Sequence, residues 1–502
     1  MVFSTPIFLT VFLPLVLCGY AALVLAGRAA ARLADRPFSW RPTNAWLLAA
    51  SLGFYFWGEG RGVGWLAASV LFNAACAKIL SRGESAAWRR GWLAANIAGN
   101  LLFLGWFKYA GFAVRSLDLL PGVSLPVPEV ALPLGISFYT FQAMSYVWDV
   151  YRRDVETAPS LVDFACYVTM FPQLVAGPIV RYADVAAQLQ SRSVPLERLS
   201  SGWRRFLAGL AKKILVANTV ASMADAVWAQ VTPQSGVSAM MAWLGLLCYT
   251  LQIYYDFSGY SDMAIGLGRM FGFEFLENFR HPYASRSVQE FWRRWHISLS
   301  TWFRDYVYIP LGGNRKGGFR TGLNCLLVFG LCGLWHGASA MFLLWGLWHG
   351  FFLMAERLFR PAKGHYAGAH RPWLAPLGQV YTLLVVMAGW VLFRSDSLAE
   401  AGMMFQSLAG LASPSPAART LWLEWSPKLA GAILAGVLFA WPVAPWLVGQ
   451  AAAARNRLAG GWRAGAECAW HGGAWVALTL LGALAALFMA GSAYNPFIYF
   501  RF

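Results

Sequence analysis

CGLWHGASAMFLLWGLWHG, Cys332–Gly350, carries the string GLWHG twice inside an oily run. Read as one helix, the 34 residues from Thr321 to Met354 would be about 51 Å long, against a hydrocarbon core of about 30 Å. The helix therefore has to break, and the glycines between Gly333 and Gly337 mark the place. His336 then stands at a break within the membrane, where an ionisable group is costly unless it faces water or a partner. His349 shares the local sequence but leads into Phe351, Phe352 and Leu353, which favours a structural ring hydrogen-bonded to backbone freed by glycine. A histidine removed from water has its charged form disfavoured, so its pKa falls from about 6.5 and the ring stays neutral. Neutral imidazole is a base, which a hydroxyl needs if it is to attack a thioester or an ester.

The rest of the chain fits this reading. Of 502 residues 58% are hydrophobic and 13% charged, against about 25% charged in soluble domains. Apolar runs recur from Phe3 to Met489, which predicts an all-α polytopic membrane protein, one integral-membrane domain over residues 1–502 with its core motifs in 131–355. Val237 to Tyr255 and Met263 to Phe275 read as separate runs, and several runs, the second of these among them, are short. Runs under about 15 residues read as re-entrant or broken helices, which membranes tolerate only around cavities, leaving about a dozen crossings at most. The first run has no basic segment before it; Arg28, Arg32, Arg36 and Arg41 follow it instead. It reads as a retained span with the N-terminus outside. Lys78, Arg82, Arg89 and Arg90, then Arg152 and Arg153, continue the positive-inside alternation. The linkers are Pro121 to Val130, Arg360 to Pro376 and Ala412 to Pro427.

The formal net charge of +17 resides in short loops between apolar runs, so orientation and anionic lipid headgroups account for it and nucleic acid does not. The 7 cysteines are dispersed without a C-x-x-C pair, which supports neither a disulfide framework nor a metal site. G-x-S-x-G, H-E-x-x-H, Walker A and G-x-G-x-x-G are absent from the sequence, which removes the usual support for serine hydrolase, zincin, P-loop and dinucleotide readings.

Upstream of the duplicated string, FWRRWHISLSTWFRDYVYIPLGGNR spans Phe291 to Arg315. Helical spacing places Phe291, Trp295, Leu299, Trp302, Tyr306 and Ile309 on one seam and Arg293, His296, Ser300 and Arg304 on another side. Pro310, Gly312 and Gly313 stop the helix. An interfacial helix with arginines on phosphate headgroups fits this pattern. So does a helix lining a polar cavity, which the interleaved histidine and serine favour. Asp256 and Asp262, among tyrosines, fit either hydrogen-bonded helix connectors or partners for Arg293 or Arg304, since buried charges require partners.

The stretches LPLGISFYTFQAMSYVWDVYRRD (Leu132 to Asp154), FPQLVAGPIVRY (Phe171 to Tyr182), YYDFSGYSDMAIGLGRMFGFEFLENFRHPY, FWRRWHISLSTWFRDYVYIPLGGNR and GLWHG resemble the membrane-bound O-acyltransferase (MBOAT) family. The resemblance is to its AlgI-like polysaccharide O-acetyltransferase branch and, more distantly, to the DltB-type D-alanyl transferases. It covers nearly the whole chain, the termini MVFSTPIFLTVFLP and YNPFIYFRF included, and is weakest from Leu358 to Gly465. It implies a ring of transmembrane helices around a thin core, with opposed cytoplasmic and periplasmic funnels meeting near an essential histidine.

Motif order puts His336 at that position and His296 at a second, supporting histidine, with His296 or Asp256 helping to place the reacting groups. Arg293, Arg294, Arg304 and Arg315 would attract coenzyme A phosphates. Ser300, Trp335, Asp256 and Asn278 complete the substrate-binding candidates, while Lys212 and Lys213 read as snorkelling residues. The implied donor is acetyl-CoA, with no metal. The implied acceptor is a polysaccharide hydroxyl, of alginate or cellulose type, reached directly or through a periplasmic acetyltransferase or relay protein at the bacterial inner membrane. D-alanyl or protein O-acyl transfer, and a non-catalytic transporter of an acyl donor or glycan, are the competing expectations.

Overall fold

The computed structural model describes residues 3–118, 120, 124–128, 130–359, 375–458, 460–491 and 494–496. Most of the linker 360–376 and part of 121–130 lie outside them, as does YNPFIYFRF apart from 494–496. Among the described residues there is no β-strand, only one isolated bridge between Gly236 and Pro414. Among the described residues seven helices are long and apolar enough to cross a membrane, or eight if the bent pair Ala417–Glu424 and Pro427–Ala440 forms one span. The protein is an all-α, multi-pass membrane protein.

Two compact units divide the chain: Met1–Phe206 with Tyr260–Leu276, and Leu207–Gly259 with Glu277–Phe502. In the first, the helices Leu13–Leu33, Arg41–Glu59, Val63–Arg82, Ala86–Leu104 and Ile136–Arg152 are held by polar groups that find their partners inside. The buried Arg192 guanidinium donates to the Tyr20 hydroxyl at 2.9 Å, to Asn44 Oδ1 at 2.8 Å and to Thr43 Oγ1 at 3.1 Å, and lies against the rings of Trp40 and Phe273. Asn44 in turn donates to Asp163 Oδ1 at 2.7 Å. Asn73, Asn96 and Asn100 cross-link their two helices by side-chain amides. In hydrocarbon such bonds contribute roughly 0.6–2 kcal/mol each. The run Leu161 to Val180, long enough to read as a span, is instead broken into Leu161–Thr169 and Phe171–Leu174 followed by non-helical backbone.

Six helices matter for the second unit: α1 (Ala239–Met270), α2 (Val288–Arg294), α3 (Ile297–Phe303), α4 (Gly318–His336), α5 (Ala340–Phe359) and α6 (Ala375–Arg394). The runs read separately at 237–255 and 263–275 are joined in one continuous helix of 32 residues, α1, which ends at Met270. The acidic pair within it is internal polarity, and its residues up to Gly259 belong to this unit. The predicted break in the GLWHG region is present: α4 ends at His336, Gly337 is extended, and α5 begins at Ala340.

The two copies of GLWHG lie on facing helices, and their first glycines meet. A Cβ at Gly333 would lie 2.1 Å from the Phe342 carbonyl oxygen, and one at Gly346 would lie 2.1 Å from that of Phe329. The Cβ built on either glycine falls within 3.3 Å of the other glycine's Cα. Only glycine permits this approach of two backbones, the small-residue packing that membrane helices use in place of a hydrophobic driving force.

Candidate active site

The helix read across Phe291 to Ile309 is two helices. α2 ends at Arg294, Trp295 is extended, His296 takes a left-handed backbone (φ +44°), and α3 starts at Ile297. Periodicity continues through the break because the break inserts no residue. What bends the chain is tertiary: the Ile297 N–H donates to the Asn278 carbonyl at 3.0 Å and the Arg280 N–H to the Arg294 carbonyl at 2.9 Å. After α3 the chain widens into a π-turn, Arg304–Tyr308, before the glycine turn. The N-terminus of α2 is capped by α5, since Glu356 accepts from the N–H groups of Val288 (2.7 Å) and Gln289 (3.1 Å). A carboxylate is favourable there because it meets orphan N–H groups and the positive end of the helix dipole.

An open cleft of about 440 Å³ lies among α2, α3, α4 and α5, within the range of about 300–1,000 Å³ typical of ligand sites. Arg293, Ser300 and Arg304 line it with Gln289 and Thr301, and its apolar walls include Trp292, Leu299, Val328, Phe329 and Cys332. Arg293 and Arg304 are exposed, whereas Trp292, Leu299, Val328 and Cys332 are buried. The cleft thus grades from cationic at its rim to apolar at its floor. Val328 and Cys332 are four residues apart on α4, and His336 is the next residue at that interval, about 6 Å further along the same face. The cleft stops one turn short of His336.

His336 is 6% exposed. Its ring meets Trp335, Trp345 and Phe393 edge to face, with centroids at 4.9, 5.0 and 5.4 Å. His296 is fully buried; Asn278 Oδ1 lies 3.2 Å from its Nδ1, and its ring meets Phe257 at 4.6 Å and Trp335 at 6.2 Å. Trp335 therefore contacts both histidines.

Of the remaining candidates, Arg294 forms an ion pair with Glu290 at 2.5 Å, Arg304 pairs with Asp305 at 2.6 Å, and Arg315 is exposed in the glycine turn. Neither Arg294 nor Arg315 lines the cleft. Asp256 pairs with Lys213 Nζ at 2.7 Å rather than with Arg293 or Arg304, and Asp262 pairs with Arg205 at 2.6 Å. Lys213 is 2% exposed, so it does not snorkel: its ammonium is neutralised inside the protein. His349 is also unlike its expectation, because neither ring nitrogen has a hydrogen-bonding protein partner. It is fully buried among Phe291, Trp292, Trp345 and Trp390.

Comparison with known proteins shows which family the chain belongs to. Residues 152–398 match the model of MBOAT, the membrane-bound O-acyltransferase family. A protein of Azotobacter vinelandii named "Probable alginate O-acetylase AlgI" is 43% identical over 413 residues, covering 81% of this chain and 78% of the relative. The chain belongs to the membrane-bound O-acyltransferase family. A peptidoglycan O-acetyltransferase of Helicobacter pylori is 33% identical over 82% of this chain and 80% of its own. A teichoic acid D-alanyltransferase of Bacillus subtilis is 25% identical over 52% of this chain and 68% of its own. The protein is an O-acyltransferase, and the cleft, His296 and His336 all fall within the segment that defines the family.

Sequence reasoning missed Trp345, Ser298 and Glu356. Trp345 is the ring between the histidines of the two GLWHG copies, 5.0 Å from His336 and 5.3 Å from His349. Its signal was available in the i+4 spacing of Trp345 and His349 on one helix face. Ser298 and Glu356 reach partners across loops and helices, and no local spacing announces that.

Proposed function

We propose that this O-acyltransferase takes acetyl from cytoplasmic acetyl-CoA and delivers it outward for O-acetylation of an exported polysaccharide of alginate or cellulose type. Delivery is either directly to a sugar hydroxyl or through a periplasmic acetyltransferase or relay protein. The observation that carries the reading is the gradient of the cleft, from Arg293 and Arg304 at an exposed rim to a buried wall that continues along α4 to His336. Guanidinium groups suit phosphates, an apolar throat suits the arm of a thioester donor, and a secluded imidazole suits the acyl carbon. The names of the alginate and peptidoglycan relatives support acetyl as the acyl group and a glycan as the acceptor. The reading requires the bacterial inner membrane, with the arginine rim toward the cytoplasm and the N-terminus periplasmic.

His336 takes the proton of the acceptor hydroxyl as its oxygen attacks the thioester carbonyl. The carbon–sulfur bond breaks, the ester forms, and the coenzyme A thiolate leaves with the proton returned by the imidazolium. General base catalysis of this kind contributes about 10²–10⁴-fold. The experiment is detergent-purified protein supplied with acetyl-CoA and its acceptor protein or glycan. Release of free coenzyme A that disappears in His336→Ala supports the reading, whereas donor binding without turnover favours a transporter. The mass of the acyl group freed from the exported polymer by mild base separates acetyl from D-alanyl.

A further inference from the structure

We infer that Asn278 is a positioning residue that holds His296 as its Nδ1–H tautomer, leaving Nε2 as the lone pair of that ring. The orientation of an amide side chain is normally ambiguous, but here a backbone group resolves it. The Ser298 N–H can only donate, and it points at Asn278 Oδ1 from 3.1 Å. The atom it faces must be the oxygen. The same oxygen lies 3.2 Å from His296 Nδ1. Two acceptors at that distance would repel, so Nδ1 carries the proton. Ser298 Oγ, 3.5 Å from Nδ1, does not compete, because its own proton is given to Asn278 Oδ1 at 3.0 Å.

The arrangement is built rather than incidental. Asn278 is 1% exposed, and its backbone carbonyl fixes the start of α3 through Ile297. His296 is held in a left-handed conformation that a residue with a Cβ seldom adopts. Its Nε2 is buried and has no protein hydrogen-bond partner, so its lone pair is open to a group that enters the site. Around it stand Phe257 and Trp335, the latter in contact with His336. His296 can therefore accept a hydrogen bond from a reacting group and, while neutral, cannot donate one through Nε2. Asn278 has its oxygen engaged by three donors, which moves it from the substrate-binding residues to those that orient a neighbour. The tautomer stands on geometry alone; its use in the reaction rests on the proposed acyl transfer.

The test is nitrogen-15 NMR of full-length protein labelled at histidine in lipid nanodiscs, with the His296 signals identified by their loss in His296→Gln. The expected result is a protonated Nδ1 and an unprotonated Nε2, retained in Asn278→Asp and converted to a mixture of tautomers in Asn278→Leu. A protonated Nε2 in the unaltered protein overturns the inference, and needs no Asn278 variant to fold. In turnover, Asn278→Leu is expected to lower kcat at least tenfold with KM for acetyl-CoA unchanged. A raised KM with unchanged kcat would return Asn278 to substrate contact and overturn it. Failure of the acyl-transfer reading looks different: the predicted tautomer, with no turnover of acetyl-CoA by the unaltered protein.

Discussion

Two histidines within the same five-residue string come to lie in different surroundings. His336 ends a helix at a break, next to the line of the cleft; His349 continues a helix into a cage of four aromatic rings. Because the His349 ring makes no hydrogen bond to the protein, a ring of similar shape should replace it. His349→Phe is expected to cost less than about 1.5 kcal/mol in thermal unfolding and to keep acyl transfer within a few-fold; loss of turnover with the fold intact would give His349 a chemical role. At the rim, each of Arg293→Gln and Arg304→Gln is expected to raise KM for acetyl-CoA by about tenfold, the value of one charged hydrogen bond of roughly 1.5 kcal/mol. Little change in kcat should accompany it, and the effect should shrink as salt is added. Equal KM values in wild type and variants would place the phosphates elsewhere.

At the scale of elements, the break after His336 was legible because length alone demands it: one helix over Thr321 to Met354 is too long for a bilayer. The break at Trp295 and His296 was not, since the apolar seam keeps its spacing straight across it and the cause lies in the segment around Asn278, reached through the fold. For the same reason α1 reads in the sequence as two runs, 237–255 and 263–275, while in space the polar residues of its middle are internal and the helix is continuous to Met270. The GLWHG repeat was read as a duplication of histidines, yet the structure uses it as a duplication of glycines, one on each side of a helix crossing. Gly346→Val is therefore expected to force α4 and α5 apart, with loss of monodisperse protein in detergent and of all turnover. Gly402→Val, at a glycine with open space around its Cβ position, should be tolerated at that level. Retention of normal stability in Gly346→Val would mean that the two backbones do not approach as described.

For the molecule as a whole, the sequence made a polytopic membrane protein plain through its apolar runs and charge alternation, and the spacing that groups Arg293, Ser300 and Arg304 matches their shared place in the lining of one cleft. Ion pairing was not legible there, because partners such as Lys213 and Asp256 are distant in the chain and nothing local marks them. That pair is almost fully enclosed, at 2% and 1% exposure, and Lys213 also donates to the Pro496 carbonyl. Removing one member of a buried pair strands the other charge, at about 3–5 kcal/mol. Lys213→Met should accordingly lower the unfolding temperature sharply, and the double variant Lys213→Met with Asp256→Leu should recover much of the loss. A single variant as stable as wild type would show that the pair is solvated.

The central claim is that a single path along α4 brings an acyl donor from the arginine rim to His336. A cryo-electron microscopy map of the purified enzyme with coenzyme A tests it most directly. The account predicts phosphate density beside Arg293 and Arg304 and the thiol end between Cys332 and the His336 ring. Coenzyme A bound away from that cleft, or bound in it with its thiol directed away from His336, would contradict it.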